Sequence, residues 1–274
     1  MNVMNDVSYH YKRHRHDLAL LYSYFLALFI IFLIIIWFGR ETLDPSIPQE
    51  GPPLSKIIYC FWTGSNTMSN ERRNCFNTLH NSGLEVTLIT ANNLSSFILP
   101  SAPLHQGFPY LSETHKADYL RTYFMHFYGG GYTDIKNVTQ SWISAWEELN
   151  NDSSKYVNGY REGGPGKVAI VPNSRVNRII HKEWYYLIGN GNYIVKPRTP
   201  FTYDWYNQMI KVMDKKLPLL RRYPARHPQE ATSKEYYYPL RWTELLGEIF
   251  HPLCYKYRTH ILQTCPSFTP SKYR

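Results

Sequence analysis

Several features that mark other protein classes are missing from this 274-residue sequence. Beyond the N-terminal tail there is no run rich in lysine and arginine and no recognisable nucleic-acid module, which argues against a nucleic-acid partner. There is neither an Asp-x-Asp-x-Thr motif nor a Walker-type lysine loop, which argues against a phosphotransferase or phosphatase. The composition, 43% hydrophobic and 16% aromatic, predicts a chain with a packed core.

Negative charge is the scarcer sign, because 21 acidic residues face 30 lysines and arginines and leave a formal net charge of +9. The first 40 residues hold four of the basic and two of the acidic residues, so most of the excess lies further along the chain. This balance favours an anionic partner, such as a nucleotide diphosphate or an acidic glycan.

Charge is absent from residues 18–39, a run of 22 residues. A helix of this length spans roughly 30 Å, the thickness of the hydrocarbon core of a bilayer. The apolar region of a cleaved signal peptide is shorter and is followed by small residues, whereas Trp37 and Arg40 end this run. We therefore expect a tail over residues 1–17, a transmembrane helix over 18–39, a proline-containing stem over 40–55 and a folded domain over 56–274.

Basic residues lie mainly on one side of the apolar run. Lys12, Arg13 and Arg15 precede it, whereas Arg40 behind it is offset by Glu41. The positive-inside rule then keeps the N-terminus in the cytosol and sends residues 41–274 across the membrane. The sequence thus predicts a single-pass type II membrane protein, in the Golgi or another secretory lumen if the host is eukaryotic.

Cysteine is scarce, with four residues in the whole chain. An even number in a secretory compartment permits disulfides. Pairs between residues 60 and 75 and between 254 and 265 are possible, although the sequence alone does not assign them.

The predicted domain begins with a strand–helix–strand pattern. Residues 56–62 form an apolar, β-branched and aromatic run that predicts a first strand. Asn70 is a candidate cap of a helix that runs to about His80, and a second strand is predicted from Leu84 to Ile89. This order predicts parallel strands with a right-handed crossover, an α/β nucleotide-binding architecture. Further along, residues 150–166 are rich in Asn, Ser and Gly and predict a flexible loop, and a helix is predicted from about Tyr203 to Met213.

The most informative segment begins with an amphipathic helix after His115. Its apolar positions recur at three- and four-residue steps, which predicts one face against the core. Asp118 and Arg121 are three residues apart and therefore share the neighbouring face. Glycines 129–131 predict the end of this helix, because glycine adopts positive φ at little cost.

A strand is predicted directly after these glycines, over Tyr132 to Lys136. Its two-residue period would place Tyr132, Asp134 and Lys136 on one side, close to the helix face of Asp118 and Arg121. A carboxylate at a strand end can hold a divalent cation that bridges phosphates, and an arginine can contact a phosphate or fix a carboxylate in place. An exposed helix ion pair, worth about 0.3–0.5 kcal/mol, is the alternative for Asp118 and Arg121.

The segment resembles the motif of the capsular polysaccharide synthesis protein family and of its relatives, the glycosyltransferases with a DXD sugar-binding region (GT-A type, glycosyltransferase family 32-like). Their pattern is a helix with Asp-x-x-Arg followed by Gly-Gly-x-Tyr-x-Asp-x-Asp, and the matching residues here are Asp118, Arg121, Gly130, Gly131 and Asp134. Residues 56–64 resemble the opening strand of the family and residues 238–252 its C-terminal block.

The resemblance implies a GT-A-like Rossmann-type domain that transfers a sugar from a nucleotide-sugar donor to a glycan or glycoconjugate acceptor. It implies a hexosyltransferase that uses Mn²⁺ or Mg²⁺, with Asp134 as a metal ligand. The implied donor-binding residues are Trp62, which borders the nucleoside site, and Asp118 with Arg121.

One position departs from the family pattern, because Lys136 stands where the second Asp is expected. Three interpretations follow. Asp134 alone can hold a weaker metal site, Lys136 can bind the diphosphate in place of part of the metal's charge, or the chain can be a catalytically inactive scaffold in a glycan-synthesis complex.

Three further residues are weaker candidates. His251 is a possible second metal ligand, and Glu244 and Glu230 are possible catalytic bases. For each of them an ordinary structural role is the more common alternative.

The predicted orientation can be tested on sealed vesicles that carry the full chain. Residues 41–274 should survive external protease and be digested once detergent is added, because the basic tail holds the N-terminus in the cytosol. An epitope tag at the N-terminus serves as the control and should be digested without detergent. Loss of the larger part in sealed vesicles would contradict the orientation.

Overall fold

A computed structural model describes residues 23–30, 53–228 and 236–269. The chain divides into two units, Met1–Gln49 and Glu50–Arg274. In the first unit, residues 23–30 are helical and their side chains are exposed. The remainder of the predicted transmembrane segment lies outside the described residues. Within the described parts of the chain, no helix is both long enough and apolar enough to cross a membrane.

The second unit contains a mixed sheet whose strands lie in the order β2-β1-β3-β5-β4-β6. Strand β1 is parallel to β2 and β3, whereas β5 is antiparallel to both β3 and β4. Strand β4 therefore runs in the same direction as β1 and β3, and the carboxyl ends of these three strands lie at one edge. The strands are β1 (Ile57–Trp62), β2 (Glu85–Thr90), β3 (Gly130–Thr133), β4 (Val157–Arg161), β5 (Ile188–Val195) and β6 (Ile261–Leu262).

Helices cover both faces of the sheet. Along β1, Tyr59 and Phe61 join one hydrophobic cluster and Ile58 and Cys60 the other, as the two-residue period of a strand requires. The α/β architecture predicted from the strand–helix–strand pattern is confirmed, and β1 and β2 are parallel as predicted, whereas the antiparallel strand β5 was not predicted. The helices of this unit are α1 (Asn70–Thr78), α2 (Glu113–Phe127), α3 (Ile143–Asn151), α4 (Ser174–Lys182), α5 (Pro200–Arg222) and α6 (Gly247–Lys256).

Two helix predictions need small corrections. The cap of α1 is Ser69 rather than Asn70, because the Ser69 hydroxyl accepts a hydrogen bond from the Arg72 amide. The helix predicted from Tyr203 to Met213 is α5, which begins at Pro200 after the capping residue Thr199 and continues to Arg222.

The flexible loop predicted over residues 150–166 is wrong, because strand β4 lies inside it. The polar residue Asn158 is fully buried, and its side chain bonds the carbonyl oxygen of Ala145 at 2.9 Å and the amide of Cys265 at 3.0 Å. At Gly159 a Cβ atom would lie 2.7 Å from Cδ1 of Ile188 in the neighbouring strand. Residues that are typical of loops are here required by tertiary contacts.

Neither of the cysteine pairs considered from the sequence is formed, since the thiols at 60, 75, 254 and 265 are buried without a disulfide. The core packing of this unit thus does not depend on a cross-link. Burial raises the pKa of the Cys60 thiol to about 12, which keeps it protonated and unreactive at neutral pH.

The turn between α2 and β3 is formed by glycines, as predicted. Gly129 has a φ of 64° and Gly130 a φ of 84°, and a Cβ atom at Gly130 would lie 2.5 Å from the carbonyl oxygen of Ile57. The strand that follows is shorter than predicted, because β3 ends at Thr133 and the Lys136 amide donates to the Asp134 carbonyl oxygen in a tight turn at 2.7 Å.

Replacing Gly130 should test this turn. Gly130→Ala should lower the free energy of unfolding by at least about 2 kcal/mol, because the left-handed conformation costs alanine ~1–2 kcal/mol before any contact with Ile57 is counted. Gly166→Ala is the matched control, since nothing lies within 4 Å of a Cβ atom there. Chemical denaturation of both variants measures the difference. Equal stability of the two variants would show that the turn is not constrained.

Candidate functional site

A cleft of about 500 Å³ lies at the edge of the sheet where β1, β3 and β4 end. Trp62 is the last residue of β1, Asp134 directly follows β3, and Glu162 directly follows β4. All three side chains line the cleft, and helix α2 adds Asp118 and Arg121. Binding sites of α/β sheets occur at the carboxyl ends of strands, and the cleft volume is within the usual range for small ligands.

Arg121 lies at the centre of the cleft wall and is 6% exposed. Its Nη1 atom donates to the carbonyl oxygen of Asn190 in β5 at 2.8 Å. Its Nη2 atom is 3.3 Å from Oδ1 of Asp118 and 3.5 Å from Oδ1 of Asp134. The guanidinium carbon also lies 4.1 Å from the ring centroid of Tyr132, a cation–π distance. One buried cation thus connects α2, the end of β3 and β5.

Asp134 is surrounded by donors on both carboxylate oxygens. The Tyr132 hydroxyl donates to Oδ1 at 2.6 Å, and the Lys136 ammonium lies 2.8 Å from Oδ2. Burial alone would raise the pKa of this carboxyl group. The charges of Arg121 and Lys136 and the hydrogen bonds outweigh burial, so the Asp134 pKa is below its ordinary value. Asp134 is therefore ionised at neutral pH.

Asp118 differs from Asp134 although the two carboxylates share Arg121. It is 3% exposed, and burial raises its pKa above the ordinary value despite the opposing effect of Arg121. A site that shifts two carboxyl pKa values in opposite directions has the character of a functional site, although structural ion pairs produce shifts as well.

Trp62 forms an aromatic wall beside a cation. Its indole nitrogen donates to the Asn66 carbonyl oxygen at 2.7 Å, and the guanidinium carbon of Arg72 lies 5.8 Å from the ring centroid. Arg72 in turn donates to the carbonyl oxygen of Ile135 at 2.7 Å, next to Asp134. The predicted donor-binding residues Trp62, Asp118, Arg121 and Lys136 all line this one cleft.

The residues at the cleft do not fit a divalent cation. In the described part of the chain no group of three or more His, Cys, Asp or Glu side chains is arranged to hold a metal. The proposed ligand Asp134 has its Oδ2 atom 2.8 Å from the Lys136 ammonium, and a metal ion needs several oxygen ligands that are not already bound to cations. The metal role of Asp134 stays a prediction that this donor set does not favour.

The weaker sequence candidates lie elsewhere or serve other contacts. Glu244 is 3.1 Å from the Lys216 ammonium and 3.3 Å from the Arg241 guanidinium, an ion-pair arrangement outside the cleft lining. His251 is fully buried in α6, and the Ala169 amide donates to its Nδ1 atom at 2.9 Å. Glu230 lies outside the described residues.

Several cleft residues were not identified as site residues from the sequence, among them Arg72, Glu162, Asn190 and Trp242. Glu162 and Asn190 line the wall formed by β4 and β5, and the half-exposed indole of Trp242 lines the side before α6. Glu162 can be found from the sequence only if β4 is recognised, because the carboxyl end of a parallel strand is the expected place for such a side chain. The loop prediction over residues 150–166 concealed it.

Comparison with known proteins gives little direct guidance. No family model matches the chain, and no curated protein matches it. Among solved structures, one described as "PaToxG Glycosyltransferase" is similar at 13% sequence identity and a TM-score of 0.36, over 83% of this chain and 78% of that chain. A likeness this distant assigns no role to any residue, and the family 32-like assignment stays a prediction.

The contact between Lys136 and Asp134 can be tested by titration. Lys136→Gln should raise the Asp134 pKa towards its ordinary value of 3.8, because a neighbouring positive charge is removed. A depressed carboxyl pKa stabilises the fold above pH about 4, and this contribution is lost as the pH falls through the folded-state pKa. Lys136→Gln should therefore lose part of the stabilisation that the depressed Asp134 pKa provides.

Carbon-13 NMR of the Asp134 carboxyl group measures this pKa directly. Lys211→Gln, on the exposed face of α5, is the matched control and should leave the titration unchanged. An unchanged Asp134 titration in Lys136→Gln would contradict the ion pair.

Proposed function

We propose that the chain is a glycosyltransferase that moves a sugar, most simply a hexose, from a nucleotide-sugar donor to a glycan or glycoconjugate acceptor. The observation that carries this proposal is the group Arg121, Asp134 and Lys136 at the carboxyl edge of β1 and β3, inside a cleft of about 500 Å³ that also contains Trp62. A nucleotide sugar needs an aromatic surface for its base, cations for its diphosphate and polar groups for its sugar. The cleft has all three.

The aromatic and cationic groups are arranged in the order in which a donor would use them. Trp62 at the end of β1 supplies a flat surface for the nucleobase, and Arg72 lies beside it. Lys136 follows at the neighbouring strand β3, with a side chain that is 29% exposed and can reach a ligand. A diphosphate next to the base would lie between these two cations.

Departure of the diphosphate places negative charge on the leaving group, and the cleft must stabilise that charge in the transition state. Lys136 is the group best placed to do so, because its ammonium belongs to the cleft surface. Arg121 is nearly fully buried and is held by three protein groups, so its role is to orient Asp118 and Asp134. Asp118 can then accept hydrogen bonds from hydroxyl groups of the donor.

The proposed reaction uses no step through a divalent cation. Mn²⁺ or Mg²⁺ was expected from the resemblance to DXD glycosyltransferases. Lys136, however, stands where the second Asp of that pattern is expected, and its ammonium pairs with the first Asp, Asp134. In this proposal Lys136 supplies a part of the positive charge that the metal ion supplies in DXD glycosyltransferases.

A catalytically inactive scaffold is the second candidate function. The same ion pair favours it, because the Lys136 ammonium 2.8 Å from Asp134 neutralises the carboxylate that would otherwise hold the metal. Such a protein would keep the fold and serve a glycan-synthesis complex through its surface. Binding and turnover of donors separate the two candidates.

The location of the protein is proposed from the sequence. Residues 18–39 would anchor the chain in a bilayer, with the catalytic domain in the Golgi or a related lumen. The anchor would decide where the reaction takes place, and the contacts within the cleft do not depend on it.

The experiment that tests the proposal is a screen of the purified full chain against UDP- and GDP-sugars for binding and for release of the nucleoside diphosphate. The preferred donor is then used with two variants. Lys136→Ala should weaken binding of the nucleoside diphosphate about tenfold at every metal concentration, because one charged contact is lost. Lys136→Asp should raise the affinity for Mn²⁺, since a second carboxylate is restored.

Lys211→Ala is the matched control, an exposed lysine of α5 away from the cleft. Unchanged affinity in Lys136→Ala would overturn the role of Lys136. Donor binding without any turnover by the wild-type chain would favour the scaffold.

A further inference from the structure

The wall of the cleft at β4 and β5 carries a polar group that the proposed contacts to base and diphosphate do not use. It consists of Glu162 after β4 and Asn190 in β5, which line the cleft, and of the fully buried His251 in α6, which contacts both. Glu162 is 7% exposed and His251 is fully buried, so neither belongs to the solvated surface of the protein. A buried carboxylate is costly unless it has partners, and its presence at a cleft needs an explanation.

His251 is fixed in one tautomer and thereby positions Glu162. The Ala169 amide donates to Nδ1 at 2.9 Å, so the proton of the neutral ring is on Nε2. Nε2 lies 3.4 Å from Oε2 of Glu162. The other carboxylate oxygen, Oε1, accepts from the Gly163 amide at 2.8 Å. These contacts fix the orientation of the Glu162 carboxylate.

The group retains unused hydrogen-bonding capacity. An ionised carboxylate offers about four acceptor positions. In Glu162 the contacts to Gly163 and His251 occupy two of these positions. The side-chain amide of Asn190 lies 3.2 Å from His251 Nε2, and its other polar atom is buried with no hydrogen-bond partner among the described residues. Because Nε2 carries the ring proton, the amide oxygen is the atom that accepts from Nε2, and the amide nitrogen is the donor left without a partner. Glu162 and Asn190 can therefore bind further polar groups.

The position of this group follows from the sheet order. Strands β3 and β4 are separated by β5 alone, so their ends lie roughly 10 Å apart at the usual strand spacing. Trp62 at β1 is on the far side of β3. A donor with its base at Trp62 and its diphosphate near Lys136 would therefore extend its sugar across the start of β5, towards Glu162.

We propose that Glu162, positioned by His251, binds hydroxyl groups of the transferred sugar and that Asn190 completes this subsite. The inference rests on the proposed glycosyltransferase function and adds the residues that recognise the sugar itself. Carboxylates and amides accept and donate hydrogen bonds to sugar hydroxyls, whereas the diphosphate is bound by the cations at β1 and β3. Loss of Glu162 should thus affect nucleotide sugars and not the nucleoside diphosphates derived from them.

Calorimetric titration of the full chain tests this separation. The probes are UDP and GDP, and UDP-glucose, UDP-galactose, UDP-N-acetylglucosamine and GDP-mannose. Glu162→Gln removes the charge at nearly constant shape and should weaken the best nucleotide sugar about tenfold, the loss expected for one hydrogen bond to a charged group. The affinity for the corresponding nucleoside diphosphate should be unchanged.

Two further variants make the result decisive. Glu162→Asp keeps the charge and should restore part of the affinity for the nucleotide sugar if the Gln variant is impaired. Glu147→Gln makes the same chemical change on the exposed surface of α3 and should behave as wild type. Thermal denaturation of each variant detects a loss of folding, in which case the Asp variant carries the comparison.

The outcomes separate the two proposals. Equal weakening of diphosphate and nucleotide sugar, or no weakening of either, would overturn the sugar-binding role of Glu162. A wild-type chain that binds none of the six probes would instead contradict the glycosyltransferase function.

Discussion

The buried guanidinium of Arg121 is the contact on which the arrangement of the cleft depends. It connects α2, which carries it, to the carboxylate that follows β3 and to a backbone carbonyl of β5. Removing one partner of a buried charge typically costs about 3–5 kcal/mol, because the remaining charge stays desolvated. The positions of Asp118, Asp134 and Asn190 are therefore coupled through one side chain.

This contact is possible because of the turn that precedes β3. Gly129 and Gly130 reverse the chain at positive φ directly after α2, and Gly130 brings β3 against the backbone of β1. A longer connection would let the helix and the strand move relative to each other. The short glycine turn instead fixes the distance between Arg121 and Asp134, so sequence proximity and spatial proximity coincide at this site.

That coincidence explains which parts could be predicted from the sequence. Asp118, Arg121, Asp134 and Lys136 lie within one short segment made of a helix, a glycine turn, a strand and a second turn, so residues that are close in sequence are also close in space. Glu162, Asn190 and Trp242 reach the cleft from segments that are distant in the chain. Strand β4 was interpreted as a loop because Asn158 and Gly159 are common in loops, whereas buried hydrogen bonds and close strand packing require them here. No local pattern encodes such requirements. Lys136 and Asp134 were predicted to be neighbours on one side of a strand, whereas they form their ion pair in a tight turn after β3 has ended.

The most direct test of the proposed donor site is a crystal structure of the full chain with the nucleoside diphosphate that binds it best. We expect the base against Trp62 and the diphosphate in contact with the Lys136 ammonium, with Arg121 still bonded to the Asn190 carbonyl oxygen. A nucleotide bound outside this cleft, or a diphosphate turned away from Lys136, would contradict the proposed binding mode.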